Sequence, residues 1–227
     1  MTDAPTALVT GVSSGIGQAI AARLLDSGWQ VVGVSRRRPV LPEPGCRWIE
    51  ADLADPAACT LVAGQVGRLD AVVHAAGLQF SAPLGSLDHD HGEMMWRLHV
   101  DAPTRLLDAL VDRLAEGARV VLIGSRTGSG VAGKSQYAAT KSALTGLARS
   151  WAIELAPRRI TVNVVAPGPT ATAMLADPNR AATPPRLPAL GRFVEPAEVA
   201  GLTAFLLGAE GGSITGQQLV VCGGASL

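Results

Sequence analysis

Two residue patterns in this chain have types and spacings that could do chemistry. In Tyr137-Ala138-Ala139-Thr140-Lys141 a phenol and an ammonium stand four positions apart. On a helix that spacing brings both side chains to one face. A cation beside a phenol favours the phenolate and lowers its pKa from about 10 towards working pH, which makes the phenol a usable general acid and base. The same spacing also occurs on plain solvated helix faces. The second pattern, Thr10-Gly11-Val12-Ser13-Ser14-Gly15-Ile16-Gly17, is a glycine-rich turn between an apolar run and an amphipathic stretch. A strand-to-helix turn of this kind lets the backbone approach a pyrophosphate, whose charge then sits at the helix N-terminus. Its spacing differs from G-x-G-x-x-G, with three residues between the first two glycines, and glycine turns also serve packing. The two patterns together are more specific than either alone.

The elements that must position these residues alternate along the chain. Short apolar runs at 7–10, 31–34, 47–49, 71–74, 120–123, 161–165 and 218–221 read as strands. They are apolar at successive positions, as strands covered on both faces are. Between them, 16–27 (closed by Gly28), 56–66 (Asp55 as N-cap, Pro56 at the first position), 137–155 (stopped by Pro157) and 196–207 (opened by Pro196) read as helices. The alternation predicts a single α/β domain over 1–227, a Rossmann-like doubly wound parallel sheet in three αβα layers. One proline-rich stretch, 167–191, interrupts it and predicts a substrate lid over about 168–191.

Composition narrows the function classes. The chain has 227 residues, 48% hydrophobic and 17% charged, with 19 basic side chains against 19 acidic. Neutrality disfavours a nucleic-acid groove or an anionic membrane surface. Cys46, Cys59 and Cys222 are far apart, odd in number and without a CxxC, so a disulfide framework and a zinc site are set aside and a reducing, cytoplasmic location is expected. The N-terminus has no basic segment followed by a long apolar one, so neither a signal peptide nor a membrane span is predicted. His89 and His91 in Asp88-His89-Asp90-His91 have no third ligand in view and read as a solvated loop. His99 reads as a hydrogen-bonded packing residue, and Met94, Met95 and Trp96 as core. Cys222 has no cationic neighbour in sequence to activate it.

With these motifs in order, the chain resembles the short-chain dehydrogenase/reductase family from Thr10 to its end. The turn Thr10 to Gly17 looks like the family's cofactor turn, so the resemblance implies cofactor contacts at Gly11, Ser13, Ser14, Gly15, Ile16 and Gly17. Asp52-Leu53 resembles the pair that caps the adenine. His74-Ala75-Ala76-Gly77 resembles the motif behind the cofactor, with His74 where asparagine is usual. Asn163 and the segment with Pro167, Gly168, Thr170 and Thr172 resemble the strand and turn that receive the nicotinamide carboxamide. Thr215-Gly216 and Cys222-Gly223-Gly224 resemble the final strand, with Cys222 in place of aspartate.

By that resemblance Tyr137 exchanges a proton with the substrate oxygen as hydride passes to or from nicotinamide, and Lys141 holds the ribose and favours the phenolate. Ser125 hydrogen-bonds the developing oxyanion. The family's usual spacing back from the tyrosine reaches Gly124, which has no hydroxyl, so a one-residue shorter loop is expected to bring Ser125 into place, with Ser129 the weaker candidate. Asp101 falls where the family commonly has a relay asparagine. It has no amide N–H to donate, so it is expected either to accept in a modified relay or only to fill a helix kink.

Cofactor choice is read at the end of the second strand, Val34-Ser35-Arg36-Arg37-Arg38. An NAD site usually has a carboxylate there for the ribose hydroxyls. Ser35 stands in its place, and Arg36 and Arg37 favour NADP(H) over NAD(H); an exposed arginine loop that admits both remains the alternative. The expected activity is therefore NAD(P)-dependent transfer of a hydride between nicotinamide and a small-molecule carbonyl or secondary alcohol. A non-catalytic nucleotide-binding relative is the rival. The lid offers Met174, Leu175, Leu187 and Leu190, with Arg180 and Arg186 as anion handles, an inventory that fits a 3-oxoacyl thioester, a cyclic ketone or a steroid-like alcohol. The resemblance implies a homotetramer or homodimer built on the Tyr137 helix and the last strand.

Overall fold

The computed structural model describes residues 4–42, 45–176 and 183–227. Seven strands form one parallel sheet: β1 (Thr6–Thr10), β2 (Gln30–Ser35), β3 (Cys46–Glu50), β4 (Leu69–His74), β5 (Leu114–Ile123), β6 (Thr161–Pro167) and β7 (Gln218–Val221), in the order β3-β2-β1-β4-β5-β6-β7. All seven predicted strands are present. The apolar runs are explained by their surroundings, since every residue of β6 is buried.

The helices close both faces. α1 (Gly15–Asp26) and α6 (Pro196–Leu207) cover one face, with Ile20, Leu24, Val199 and Leu206 in the shared core. α2 (Pro56–Gly64), α4 (Ala102–Leu110) and α5 (Ser135–Leu155) cover the other through Val62, Leu106, Leu110 and Leu144. Local chemistry sets their ends. Gly28 at φ +82 donates to Leu25 O and Trp29 to Leu24 O, closing α1 in a Schellman motif. Asp55 accepts from the Ala57 N–H at the start of α2. At α6, Glu198 accepts from the Glu195 N–H and is gripped by Arg192 through two bonds of 2.7 and 2.9 Å. That grip holds the exposed Glu198 carboxyl down at about 2.

Two helices lie between β4 and β5, where the sequence marked only a helical stretch around His99 and a kink at Asp101. α3 (His89–Trp96) buries only Met95, so it lacks a readable apolar stripe. Asp88 caps it by accepting from the His91 N–H, and His91 stacks on Phe80 with ring centroids 3.7 Å apart. His89 and His91 therefore sit on a helix, contrary to the loop expected for them. Met95 is buried as core, while Met94 and Trp96 are exposed. A π turn, Arg97–Asp101, joins α3 to α4. Pro103 supplies its cause: it has no N–H to give the His99 carbonyl, so the α pattern cannot run through this point.

Of the stretch expected to form a lid, residues 177–182 and with them Arg180 lie outside the described residues. Both of its ends are tied down. Thr170 pairs with Val194 in a parallel bridge, and the Leu190 N–H donates to Gly223 O. The fold thus brings the C-terminal ends of β1, β4, β5 and β6 together beside the described parts of that stretch, 168–176 and 183–191.

Candidate active site

A furrow opens where the strand order reverses between β1 and β4, the crevice at which open α/β sheets bind ligands. Its floor is made by backbone that only glycine permits. A Cβ on Gly11, itself at φ +74, would stand 2.8 Å from the Ala76 N, and one on Gly17 would stand 2.4 Å from Gly11 O. Ser14, the N-cap of α1, makes no side-chain capping bond, which leaves the first N–H groups of the helix for an anion. Thr10 Oγ1 locks the floor by accepting from the Ala75 and Ala76 N–H groups, each at 3.0 Å. A close-approach backbone, a free helix N-terminus and a cationic far end make up a donor set that fits a nicotinamide dinucleotide.

Most of the expected cofactor residues line this furrow: Gly11, Ser13 to Gly17, Ser35 to Arg37, Asp52, Leu53, Ala75 to Gly77 and Thr172. His74 does not. It is buried, with Nδ1 3.1 Å from Thr10 Oγ1 and Nε2 3.1 Å from Leu98 O. Thr10 already accepts two N–H groups, so its hydroxyl donates to His74 Nδ1 and the imidazole proton lies on Nε2. Asn163 is likewise turned to structure: it donates to Ile214 O and accepts from the Gln217 N–H, and it lines neither cavity. Ser35 lines the furrow but commits its proton to Arg37 O at 2.6 Å and accepts from Trp48 Nε1. It shapes the turn, and the charge at this end comes from the exposed Arg36, 3.9 Å from Asp52, and from Arg37.

The furrow continues into a second cavity of about 810 Å³ that holds Ser125, Tyr137 and Lys141, with Pro167, Gly168 and Thr170 on its wall. Gly124 is explained by sterics: a Cβ there would stand 2.6 Å from Val164 Cγ1, so a side chain at 124 would run into the sheet. Ser125, extended at φ −162, accepts from the Thr127 N–H and has no acceptor for its own proton among the described residues. Ser129 is not in this lining and donates to Arg126 O. Tyr137 and Lys141 stand one turn apart on α5, both buried, with Nζ 5.9 Å from the phenol ring centroid. Nζ donates to Ile123 O at 2.9 Å, and burial pulls the ammonium down to about 7.

The residue facing Tyr137 from the π turn is His99, not Asp101. Asp101 accepts from Trp96 Nε1 at 3.2 Å and lines neither cavity, so the expected relay position is not met there. Two residues earlier, His99 meets the phenol edge to face with ring centroids 5.6 Å apart. Its Nε2 accepts from the Leu78 N–H, which leaves the proton on Nδ1 to bond Thr140 Oγ1 at 2.9 Å, and Thr140 donates on to Tyr137 O. Burial, with Lys141 adding to it, holds His99 well below the ordinary imidazole range and His74 down to about 3. Both imidazoles are neutral fixtures. Arg126 and Lys134 also line the cavity. Sequence reasoning missed both, although Arg126 directly follows Ser125.

Fold and site together define a dinucleotide-dependent proton and hydride transfer enzyme, and the chain belongs to the short-chain dehydrogenase/reductase family. The family described as enoyl-(acyl carrier protein) reductase matches over residues 11–226. Among similar proteins, the 3-oxoacyl-(acyl-carrier-protein) reductase of Salmonella typhimurium is 35% identical, covering 96% of each chain. The cyclic-di-GMP-binding biofilm dispersal mediator protein of Escherichia coli is also 35% identical, over 96% of this chain and 95% of that one. A short-chain dehydrogenase from Burkholderia cenocepacia solved in complex with NADP superposes with a TM-score of 0.88 at 36% identity, covering 98% of both chains. The protein is an NAD(P)-dependent oxidoreductase acting on carbonyl or CH–OH groups.

Proposed function

We propose that the protein is an NADP(H)-dependent reductase of a small-molecule carbonyl, built as one domain with the loop at about 168–191 over its substrate. One observation carries this reading: a continuous hollow joins the glycine turn and Arg36–Arg37 at one end to Ser125, Tyr137 and Lys141 at the other. The turn and the N-terminus of α1 hold the pyrophosphate, Arg36 and Arg37 the 2′-phosphate, Asp52 and Leu53 flank the adenine, and Thr170 and Thr172 flank the nicotinamide. When bound, the reduced nicotinamide supplies the hydride that the carbonyl carbon accepts. Ser125 directs its uncommitted O–H at the carbonyl oxygen as negative charge grows there. Tyr137 gives that oxygen its phenolic proton, so the carbonyl leaves as an alcohol, and Lys141 stabilises the phenolate left behind. His99, through Thr140, fixes the backbone turn from which Tyr137 projects.

A retained Tyr137, Lys141 and free Ser125 hydroxyl in one cavity oppose a purely binding role. A 3-oxoacyl thioester is among the substrates the apolar wall admits. Cys46, Cys59 and Cys222 form no disulfide among the described residues, which supports a reducing cytoplasm, and among the described residues no helix is long and apolar enough to cross a membrane. Exposed Ile153 on α5 and Val220 on β7 support a homodimer or homotetramer built on those elements. The test is titration with NADPH and NADH by nicotinamide fluorescence, followed by reduction of ketones and 3-oxoacyl thioesters. NADPH is expected to bind at least tenfold more tightly, and Tyr137→Phe to abolish turnover while still binding NADPH. Equal affinities would remove the NADP assignment, and no binding of either would remove the reading as a whole.

A further inference from the structure

The π turn Arg97–Asp101 leaves the Leu98 carbonyl without a backbone donor from its own segment. The Ala102 N–H, which an α-helix would give to Leu98 O, donates instead to Arg97 O, five residues back. The next donor along, which a π pattern would use for Leu98 O, falls on Pro103, and proline has no N–H. A carbonyl turned to the protein interior needs a partner. The side chain of His74 provides it. His74 is buried, its Nδ1 takes the proton of Thr10 Oγ1, and its Nε2–H donates to Leu98 O at 3.1 Å.

Leu98 O and the His99 N–H belong to one planar peptide unit, so fixing the carbonyl fixes the plane from which His99 departs. The chain just beyond β4 then holds the ring, as the Leu78 N–H donates to His99 Nε2 and Nδ1 bonds Thr140 Oγ1. In that pose the imidazole meets the phenol of Tyr137 edge to face and also stands by Lys141. A Cβ on Gly77 would lie 3.2 Å from His99 Nε2 and 3.7 Å from Lys141 Nζ. An imidazole that moved would therefore disturb both members of the pair.

We propose that His74 is a positioning residue for the reaction: it gives the π turn the hydrogen bond that the turn cannot make for itself, and so holds His99 against Tyr137 and Lys141. This rests on the reductase reading, because turnover is its first readout. His74 lines neither cavity, so its influence passes through His99 and not through contact with substrate or dinucleotide.

The two nitrogens of the ring can be replaced one at a time. In His74→Asn the amide reaches only as far as Nδ1, so it keeps a partner for Thr10 and loses Leu98 O. In His74→Gln the amide nitrogen stands where Nε2 stood and can donate to Leu98 O. With the best ketone or 3-oxoacyl thioester as substrate, His74→Asn is expected to lower kcat roughly tenfold or more, with KM and NADPH affinity within about twofold of wild type. His74→Gln should recover most of that loss. In a His99→Asn background, His74→Asn should cost less than about twofold more, because the residue it positions is gone. Thermal melts and NADPH fluorescence confirm a folded protein in each case. A kcat that survives His74→Asn, equal losses in the two variants, or additive losses with His99→Asn would overturn the proposal and leave the reductase reading in place. Where the wild type binds NADPH and turns over none of these substrates, the reductase reading fails and crystal structures of the two variants decide. His99 withdrawn from Tyr137 in His74→Asn and held in His74→Gln supports the positioning role, and His99 unmoved in both overturns it.

Discussion

At the residue scale, Lys141 carries a conflict that the sequence does not show. Its role calls for a charge beside Tyr137, yet complete burial brings the ammonium down to about 7. In the free protein the charge is therefore lost as the pH rises through the neutral range. An anionic dinucleotide arriving in the same cavity favours the charged form, so binding is coupled to proton uptake. NADPH affinity is expected to fall as pH rises from about 7 to 9, by up to about tenfold per unit. Titration calorimetry in buffers of different ionisation enthalpy should show the proton taken up, and Lys141→Met should remove it. Ser125 was legible only through the missing hydroxyl of Gly124, and the structure adds the reason, since Val164 fills the space a side chain at 124 needs.

At the scale of elements, the π turn Arg97–Asp101 decides which side chain meets the phenol. The family resemblance points to Asp101, whereas the widened turn delivers His99 and leaves Asp101 to Trp96. Pro103 is the local cause, because it removes the donor that the His99 carbonyl would use in an α-helix. Pro103→Ala restores that donor and lets the segment wind towards α geometry. The expected result is a drop of tenfold or more in kcat, with thermal stability kept or raised. A crystal structure of the variant should show His99 withdrawn from Tyr137. Loss of stability with kcat intact would mean that the proline only packs. The strands were readable because burial on both faces made them apolar runs, and α1, α2, α5 and α6 because caps and prolines mark their ends. α3 and α4 were not, since α3 buries one residue and α4 opens on a proline inside a continuous helical segment.

At the scale of the whole molecule, the three buried bases His74, His99 and Lys141 act on stability in one direction. Each has a folded pKa below its unfolded value, so in the window between the two the unfolded chain binds the extra proton and stability rises with pH. For His74 that window runs from about 3 up to 6.5, and its contribution is lost as the pH falls through it. Each histidine adds a slope of about 1.4 kcal/mol per pH unit. Urea denaturation between pH 4.5 and 6 is expected to lose stability at about the two-histidine slope, and His74→Asn to remove about half of it. A pH-independent midpoint in that range would show that the imidazoles are already charged in the fold.

The sequence by itself determined the alternation of strands and helices, the glycine turn, the Tyr137–Lys141 pair and the arginines beyond β2, because each depends on spacing within one element or across one turn. Tertiary structure decided what those residues meet. His74 and Asn163 spend their hydrogen bonds on backbone, Ser35 on its own turn, and His99 displaces Asp101. All of these depend on atoms from strands and loops distant in the chain, and on the burial that only the assembled sheet creates.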